Sequence, residues 1–515
     1  MNDANGEISS QNIESGGIPS AVSEVRSRLS LIFSENDDLT FREIRTVDSK
    51  RINILIVFIS GLVNQNLINT DIIKPIQSMV YGPNHNNSDT SILSQLKESI
   101  ISSNNIVEIQ TEKDCIKMLL SGSAVIFIDG ETTALSSSVS ESQGRNVEEP
   151  SVDSVLRGPR EGFTESLSTN KALLRRKIKD SSLKFENVVI GTRTNTDICI
   201  SYMKGIAHED IIETVRNRLK NIQTDAILES GYLEEFIGDS SFSFLPLIGN
   251  TEKPDIVAAK ILEGRVAIFC DGTPFVLTVP FLFIEGLQSS EDYYSKFYQG
   301  SISRLLRFLA LFISAVLPAS YVALTTFHQD IIPSKLLLTM AASREGIPFP
   351  PFLESLLIII TFELLREAGV RMPKRIGQAI SIVGALVIGE SAVKAGLMSN
   401  PMVIVIALTA ICSFINPLYT NATLIIRIIL LIGADILGFM GIMLIIFALY
   451  IHMCSLKSFG IPYMTPFSPV SGMDLKDSFI RIPIWAMLTR PKLLTWEKNK
   501  NTKFKTKANI NKKEE

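Results

Sequence analysis

The sequence predicts an α/β N-terminal region of two related subdomains, followed by an α-helical polytopic membrane domain with four to six hydrophobic segments. Two observations carry this prediction. Residues 1–300 mix charged and apolar residues as water-soluble proteins do, whereas residues 303–453 are dominated by long apolar runs. A helix needs roughly 20 apolar residues to cross a bilayer core about 30 Å thick, and several runs reach that length. In addition, two blocks within the first 300 residues resemble each other.

The resemblance between these blocks indicates an internal duplication. INILIVFISGLVNQNLI (52–68) resembles TDICISYMKGIAHEDII (196–212), with alternating apolar residues, a glycine and a helix start. CIKMLLSGSAVIFIDGETTAL (115–135) resembles VAAKILEGRVAIFCDGTPFVL (257–277). The two offsets, 144 and 142 residues, are nearly equal, which is typical of a repeat. Each copy would begin and end with a strand and hold helices between, as a small α/β subdomain.

Each copy also contains an Asp-Gly pair between apolar runs, at Asp129-Gly130 and Asp271-Gly272. Because glycine accepts a positive φ, this dipeptide predicts a hairpin turn. A ligand-binding role for these pairs is the minority interpretation.

Composition sets the expected domain limits. The linker between the copies, SSSVSESQGRNVEEPSVDS (136–154), is rich in Ser, Glu and Gly. The last 25 residues carry eight lysines against three glutamates, which is typical of a solvated end that lies near anionic lipid. We expect a disordered tail (1–20), a first subdomain with its linker (21–150), a second subdomain (151–300), a transmembrane helical domain (301–456) and a C-terminal segment with a basic tail (457–515).

The segment RGPREGFTESLSTNKALLRRKIKD (157–180) follows the linker. Its Gly-Pro pair excludes a helix at the start, and the residues from Thr169 onwards predict a basic helix. Two interpretations stay open: a connector between the copies, or an interface or hinge that clamps a partner surface or an anion. The candidate residues for the second interpretation are Arg157, Gly158, Pro159 and Arg160.

Four apolar runs are predicted membrane spans: 303–327, 376–397, 401–420 and 424–453. The last would be about 45 Å long as a straight helix, so it must tilt, project from the bilayer or break. A fifth segment, FLESLLIIITFELLREAG (352–369), has only eight uncharged residues in a row. It could be a short span, a re-entrant segment or an interfacial helix.

The predicted topology depends on that fifth segment. Arg304 and Arg307 precede the first span and predict a cytoplasmic N-terminal domain, and the lysine tail predicts a cytoplasmic C-terminus. Four spans satisfy both predictions but leave the basic cluster 366–375 outside. Five spans would place the basic cluster on the cytoplasmic side but would leave the lysine tail outside. Both alternatives stay open.

Small residues recur at intervals of four in 376–397 and form a stripe on one helix face, which favours a tightly packed bundle or oligomer. These candidate packing residues are Gly377, Ser381, Ala385 and Gly389.

Ionisable residues inside apolar runs are costly and need partners. Glu390 has Lys394 four residues later, the favourable order for a pair within one helix, and a structural pair and an aqueous pathway stay equal alternatives. Asp435 lies two turns from Arg427, so we expect its partner on another helix, or a role in a pathway. The candidate pore or gate residues are Glu354, Glu363, Arg366, Glu390 and Asp435.

The sequence contains no P-loop, no GxGxxG after a strand, no HExxH and no GxSxG. Five scattered cysteines and four histidines show no metal-ligand spacing, so we expect reduced cysteines, no cofactor and no enzymatic activity. A net charge of −3 predicts no nucleic-acid partner, and the polar N-terminus predicts no signal peptide.

Several motifs along the chain are specific only in combination. They are RGPREGF (157–163), GRVAIFCDGTPF (264–275), EDYY (291–294), LPASYVAL (317–324), REGIPFPPF (344–352), FELLREAGVRMP (362–373), IGQAISIVGALVIG (376–389), SFGIPY (458–463) and Arg490-Pro491. Together they resemble the A subunits of spore germinant receptors from endospore-forming bacteria, and the resemblance covers roughly residues 40–491 in order.

The resemblance implies a multi-pass subunit of a nutrient receptor in the inner spore membrane. It implies a transporter-like B subunit, which holds the germinant, and a lipoprotein C subunit as partners, besides membrane lipid. It also implies a homo-oligomeric ring, a pentamer, that acts as a nutrient-gated ion channel and starts germination by releasing ions. Two other functions stay open: a secondary transporter, for which the membrane part shows no inverted repeat, and a scaffold whose membrane part only anchors a germinant-binding partner.

Overall fold

The computed structural model describes residues 16–45, 53–81, 93, 106–139, 150, 157–240, 242–372, 389–472, 474–487, 489–491 and 493–495. The chain forms two compact units. The N-terminal unit comprises Met1–Gly238, Ile248–Pro280 and Arg490–Thr502, and the helical unit comprises Asp239–Leu247, Phe281–Thr489 and Lys503–Glu515.

Two five-stranded antiparallel sheets with one strand order build the N-terminal unit. The first has the order β1-β2-β4-β5-β3 and the second the order β6-β7-β9-β10-β8. The strands are β1 (Leu39–Arg45), β2 (Asn53–Ile59), β3 (Ile106–Ile109), β4 (Ser123–Ile128), β5 (Ala134–Ser138), β6 (Leu183–Ile190), β7 (Thr196–Met203), β8 (Gly249–Thr251), β9 (Val266–Cys270) and β10 (Val276–Val279).

Helices cover these sheets, so the predicted α/β fold of the N-terminal region is confirmed. They are α1 (Val22–Ile32), α2 in three consecutive pieces (Gln65–Leu67, Ile68–Ile73 and Lys74–Tyr81), α3 (Glu112–Leu120), α4 (Leu167–Lys177), α5 (Glu209–Lys220), α6 (Ser230–Ile237) and α7 (Pro254–Leu262). In β2, alternate residues enter two different cores: Leu55 and Val57 pack with α1 and α3, whereas Ile54 and Ile56 pack with α2. The strand is buried on both faces, which explains its nearly continuous apolar sequence.

Both Asp-Gly pairs form the predicted turns, and each turn also caps a helix. Asp129 Oδ1 accepts the Val22 N–H at the start of α1 at 3.2 Å, and Asp271 Oδ1 accepts the Leu167 N–H at the start of α4 at 3.0 Å. The glycines that follow have φ of +94° and +89°. The carboxylate therefore satisfies a backbone donor that a helix start leaves open, in the same way in each copy.

Two expected limits need correction. Ordered structure begins by residue 16 rather than after residue 20, because Ile18 is buried in the first core. The linker cannot start at residue 136, because Ser136 and Ser137 are buried in β5, between two neighbouring strands. Their hydroxyl-bearing sequence suggested a linker, but their backbone groups pair with β3 and β4.

Besides the helical residues 389–394 and a short hairpin of β11 (Lys457–Ser458) and β12 (Ile461–Pro462), the described residues of the helical unit form seven α-helices. They are α8 (Glu291–Tyr294), α9 (Phe297–Thr326), α10 (Ser334–Arg344), α11 (Pro351–Arg371), α12 (Asn400–Ile415), α13 (Thr420–Leu437) and α14 (Phe439–Ser455).

Two helices in the described part of the chain are long and apolar enough to cross a membrane: α9, with 30 residues, and the 21-residue helix Pro417–Leu437 that contains α13. By length and composition the count is therefore two, against four to six predicted segments. Both α12 and α14 are apolar but shorter, and α11 is one continuous helix of 21 residues over the ambiguous segment 352–369. The predicted span 376–397 lies mostly outside the described residues.

The predicted span 424–453 is not one helix. Gly438, with φ +62° and ψ −139°, ends α13 and begins α14. A side chain at this position would collide with the His328 ring, and Gly433 and Gly441 let the two helices approach closely. The apolar run therefore folds back on itself instead of extending for about 45 Å.

Contacts along the helices give their directions. Asn416 Nδ2, just after α12, donates to the Arg307 carbonyl near the start of α9, and the His328 ring after α9 lies 5.0 Å from that of Phe439. Since α13 runs between these two levels, it is parallel to α9. Glu354 and Ser399 meet at the starts of α11 and α12, so these two helices run the opposite way, as does α14.

Candidate functional site

A proline bend in α9 creates the first polar contact inside the helical unit. Pro318 has no N–H, so the carbonyl of Ser314, four residues earlier, loses its helical donor. Arg427 of α13 fills that place: its Nε–H donates to the Ser314 carbonyl oxygen at 2.8 Å. Both residues are almost fully buried, so the arginine ties α13 to the bend of α9.

Glu363 of α11 lies between two arginines. Its Oε2 is 2.8 Å from Arg366 Nη2, one turn along the same helix, and its Oε1 is 3.9 Å from Arg427 Nη1. The second distance is too long for a hydrogen bond, although opposite charges still attract strongly where water is excluded. Nη1 of Arg366 is buried without a hydrogen-bond partner among the described residues. One carboxylate thus faces two cations: it forms an ion pair with Arg366 without a hydrogen bond, since its Oε2 has no hydrogen-bond partner among the described residues, and it is more distant from Arg427.

Glu354 is fully buried at the start of α11. Its Oε1 accepts the Ser399 N–H at 2.6 Å and the Ser399 hydroxyl at 2.5 Å. Ser399 immediately precedes α12, so the carboxylate lies at the positive end of that helix. Glu354 Oε2 has no hydrogen-bond partner within the described part of the chain.

The other two candidate carboxylates lie on the surface. Glu390 forms an ion pair with Lys394, one of its two equal alternatives, at 2.6 Å, and both side chains are more than half exposed. Asp435 of α13 is exposed, next to the exposed apolar side chains of Ile432, Ile436 and Leu437. Among the described residues it has no ion-pair partner, and Arg427, two turns away, is bonded elsewhere.

The small-residue stripe is described at one position only. A side chain at Gly389 would meet Val403 of α12 at 3.9 Å, an ordinary packing distance. Gly377, Ser381 and Ala385 lie outside the described residues, so the stripe stays a prediction.

A cluster of buried charges at the start of α9 was not anticipated from the sequence. Arg304 donates to the Asp477 carboxylate at 2.9 Å, and Arg307 makes two hydrogen bonds of 2.8 Å to Asp292. Arg481 donates to the backbone carbonyl of Asp292. The sequence identified Arg304 and Arg307 only as topology signals; the 173 residues between Arg304 and Asp477 hid their pairing.

A second unanticipated contact joins the two subdomains of the N-terminal unit. Arg175 of α4 donates from Nε and Nη2 to the two oxygens of Asp38, at 3.0 and 3.1 Å. Nη2 also donates to Asn36 Oδ1, and Nη1 to the Asp180 carbonyl. The guanidinium of Arg175 is fully buried, and each of its nitrogens has an acceptor.

A cavity of about 480 Å³ lies beside this junction, lined by Glu35, Glu186, Asn187, Val188, Arg216 and Lys220. Burial raises the pKa of the Glu186 carboxyl, but hydrogen bonds from Arg216 and Tyr202 outweigh burial and lower that pKa. Arg216 reaches both oxygens of Glu186, at 2.8 and 2.5 Å. The principal charges in the cavity therefore neutralise each other.

A buried amine also lies at the junction. The Lys184 ammonium donates to the Ile32 carbonyl at 3.3 Å, and burial, with the Lys204 charge, lowers its pKa to about 8. By contrast, Arg157 and Arg160, the predicted clamp, are exposed. Their role stays a prediction.

The fold and these contacts define a class of protein in which an α/β region precedes helices that are long and apolar enough for a membrane. The family model of the Bacillus/Clostridium GerA spore germination protein matches residues 27–493. The chain belongs to this family.

Individual proteins are also similar to this chain. Spore germination protein KA of Bacillus subtilis (strain 168) is 44% identical over 464 residues, which cover 90% of this chain and 84% of that protein. Spore germination protein GerLA of Bacillus cereus is 38% identical, over 93% of this chain and 96% of that protein. A crystal structure of the N-terminal domain of the A subunit of the Bacillus megaterium spore germinant receptor GerK3 is 34% identical, covers 52% of this chain and 98% of that chain, and has a TM-score of 0.42.

Membership of this family supports a role in spore germination. Together with the two apolar helices it is consistent with a membrane protein. The family's names are not those of enzymes, which is consistent with the expected lack of enzymatic activity.

Proposed function

We propose that this chain is the membrane subunit of a nutrient germinant receptor, and that several copies surround a gated pathway for ions. The observation that carries the proposal is the exposed carboxylate of Asp435 on α13, among exposed apolar side chains. A carboxylate that faces lipid is costly, so in a membrane it faces water or a partner instead. Arg427 of the same helix finds its partners inside one copy, whereas Asp435 needs a pathway or a second copy.

Six crossings agree with the helix directions and with the charges. Since α11 runs back towards the level where α9 begins and α12 starts at the opposite level, the proposal assigns the return crossing to the predicted span 376–397. After that return, α12 crosses to the side where α9 begins. The helices α13 and α14 then cross away and back, so the chain end lies on that first side. This arrangement places the basic cluster 366–375 and the lysine tail on one side, as the positive-inside rule requires.

This proposal of six crossings replaces the alternatives of four and five spans that the sequence left open. The break at Gly438 would supply the extra crossing. The N-terminal unit and the chain end would both be cytoplasmic, in the inner spore membrane, with the transporter-like B subunit and the lipoprotein C subunit as partners.

The gate of the pathway would involve α11. Glu363 forms an ion pair with Arg366 at 2.8 Å, without a hydrogen bond, and lies 3.9 Å from Arg427, so a small shift of α11 changes which arginine holds the carboxylate. Elements that switch between two arrangements are suited to gating. The candidate pore or gate residues of this proposal are Glu354, Glu363, Arg366, Glu390 and Asp435.

Reconstitution tests the proposal. The full chain and its two partner subunits are placed in liposomes, and ion flux and subunit number are measured with and without germinant. We expect germinant-triggered flux, an oligomer of this chain, and a several-fold change in flux in Asp435→Asn. The matched control is Glu367→Gln, which removes an exposed pair with Arg371 on α11.

Other outcomes distinguish the alternatives. A monomer that passes no ions with all partners present would contradict the channel. Uptake of the nutrient coupled to an ion gradient would instead indicate a transporter. Germination that is unchanged by Asp435→Asn and Glu390→Gln, without any flux, would indicate a scaffold.

A further inference from the structure

The C-terminal stretch 474–487 of the helical unit carries large apolar side chains on its surface. Trp485 is 69% exposed, Ile480 67%, Phe479 45% and Ile484 44%. Four such side chains within seven residues form a patch of a kind that marks an interaction site. The nearby acidic side chains do not oppose apolar contact, since Asp477 is bonded to Arg304 and Asp474 to Ser471.

This stretch is fixed against the first turns of α9. The Arg481 N–H donates to the Ser301 hydroxyl oxygen at 3.1 Å, and that hydroxyl lies 3.3 Å from the Arg481 carbonyl. The rings of Phe479 and Phe308 are 4.4 Å apart. Ser301 and Phe308 are seven residues apart, so they share one face of α9 and are about 10 Å apart along its axis.

That part of α9 lies at the edge of a bilayer. The helix has 30 residues and is about 45 Å long, whereas the hydrocarbon core is about 30 Å thick. The part of α9 that exceeds the hydrocarbon core is placed at its N-terminal end, because Arg304 and Arg307 lie there and form ion pairs with aspartates. On the same turns the outer face of α9 is apolar, with Ile302, Leu305 and Leu306 more than half exposed.

We propose that 474–487 is an interfacial membrane anchor, with Ile480, Ile484 and Trp485 inserted into the headgroup region of the bilayer on the side where α9 begins. The apolar outer face of α9 at the same level continues into this patch, which favours lipid over a protein partner. Tryptophan is enriched in this zone, because its ring is apolar and its N–H still reaches water or headgroups. The anchor rests on the membrane placement in the proposed function.

Fluorescence quenching tests the anchor in the full chain. The chain has two tryptophans, so Trp496→Phe leaves Trp485 as the single emitter. The protein is reconstituted into phosphatidylcholine–phosphatidylglycerol vesicles whose acyl chains carry bromine either near the headgroup or near the bilayer centre; iodide is the aqueous quencher. We expect shallow bromine to quench Trp485 several-fold more than deep bromine, and iodide to quench it only weakly.

Two controls use the double variant W485F/W496F. Phe312→Trp places an emitter on the exposed face of α9, and Leu228→Trp places one on the exposed surface of the N-terminal unit. We expect deep bromine to quench the first and iodide to quench the second.

The outcomes separate the anchor from the proposed function. If no brominated lipid quenches Phe312→Trp, the membrane placement itself is wrong, and the anchor with it. If Phe312→Trp is quenched but Trp485 responds to iodide alone, only the anchor is overturned. If Trp485 responds to neither quencher, protein covers the patch, from a second copy or a partner subunit, and the lipid anchor is again overturned.

Discussion

Arg175 in the N-terminal unit and Arg427 in the helical unit are 1% and 2% exposed. Arg175 meets both oxygens of Asp38 at about hydrogen-bond length, at 3.0 and 3.1 Å. Arg427 makes one strong bond, to the Ser314 carbonyl, and its carboxylate partner Glu363 is 3.9 Å away. A bidentate pair fixes direction as well as distance, whereas attraction at 3.9 Å fixes neither. The junction of the subdomains is therefore rigid, and α11 is the less restrained element.

Removing Arg175 should have the largest effect. Arg175→Ala leaves Asp38 buried without its counter-charge, and we expect the free energy of unfolding to fall by about 3–5 kcal/mol. The measurement is denaturant unfolding of the full chain in detergent, followed by circular dichroism. The control is Arg176→Ala, which changes the exposed neighbour on the same helix. Equal losses in the two variants would show that the buried pair does not hold the junction.

Lys184 is a buried amine at that junction, and its contribution to stability depends on pH. Burial lowers its pKa from 10.5 to about 8. Between about pH 8 and 10.5 the unfolded chain binds more protons at this site, so stability rises with pH and the penalty is fully present below pH 8. The difference between a pKa of 10.5 and one of about 8 corresponds to a penalty on the order of 3–4 kcal/mol, at about 1.4 kcal/mol for each pH unit.

Lys184→Met isolates this contribution. We expect the stability advantage of the variant over the parent chain to shrink as pH rises from about 8 to 10.5. Unfolding curves of both chains at a series of pH values measure it. A difference that stays constant over this range would mean that the amine titrates normally.

Arg427→Met should have a smaller effect, because the arginine is bonded to one carbonyl and only attracted by Glu363. The variant leaves the Ser314 carbonyl unpaired, at a cost of about 1–3 kcal/mol. Adding Pro318→Ala restores the helical N–H and should recover part of that loss. Thermal unfolding in one detergent compares the single and double variants, with Arg371→Met as the exposed control. A double variant that is no more stable than Arg427→Met would show that Arg427 does not stabilise the fold by pairing the carbonyl left open by Pro318.

Asp129→Ala and Asp271→Ala should have the smallest effects, about 1 kcal/mol each, as expected for the loss of a helix cap. The repeated geometry predicts similar losses for the two subdomains, since each aspartate accepts one N–H at a helix start. Denaturant unfolding of both variants checks this equality. A loss at only one site would show that the second turn is held by other contacts.

Local patterns predicted much of this fold. Alternation of apolar residues and the Asp-Gly pairs sufficed for the strands and turns of the N-terminal unit, because those signals act over a few residues. A break was one of three alternatives for the run 424–453, but its position at Gly438 was not predicted, since glycine is common within membrane helices and the collision with His328 depends on a residue 110 positions earlier.

The candidate site was predictable only as a set of unusual charges. The sequence identified Glu354 and Glu363 because they interrupt apolar runs, but Ser399 as the partner of Glu354 had no signal. Arg427 and Pro318 were both visible; their connection through the Ser314 carbonyl spans 113 residues and requires the packing of α9 on α13. Whether a charge is buried, like Glu354, or exposed, like Asp435, depends on helix orientation, which periodicity in a uniformly apolar run does not reveal.

The two aspartate caps have a consequence for the order of synthesis. Each cap joins positions 107 or 104 residues apart, so α1 and α4 gain their caps only after the last hairpin of their own subdomain exists. Both hairpins precede α9 in the chain, and domains fold as units from the N-terminal end during translation. The two sheets are therefore closed before the first long apolar helix leaves the ribosome. Yet Thr495 pairs with Ala207, and Arg490 donates to the Leu262 carbonyl. The N-terminal unit is begun first, but these contacts form only after the described helices α8–α14 have been synthesised.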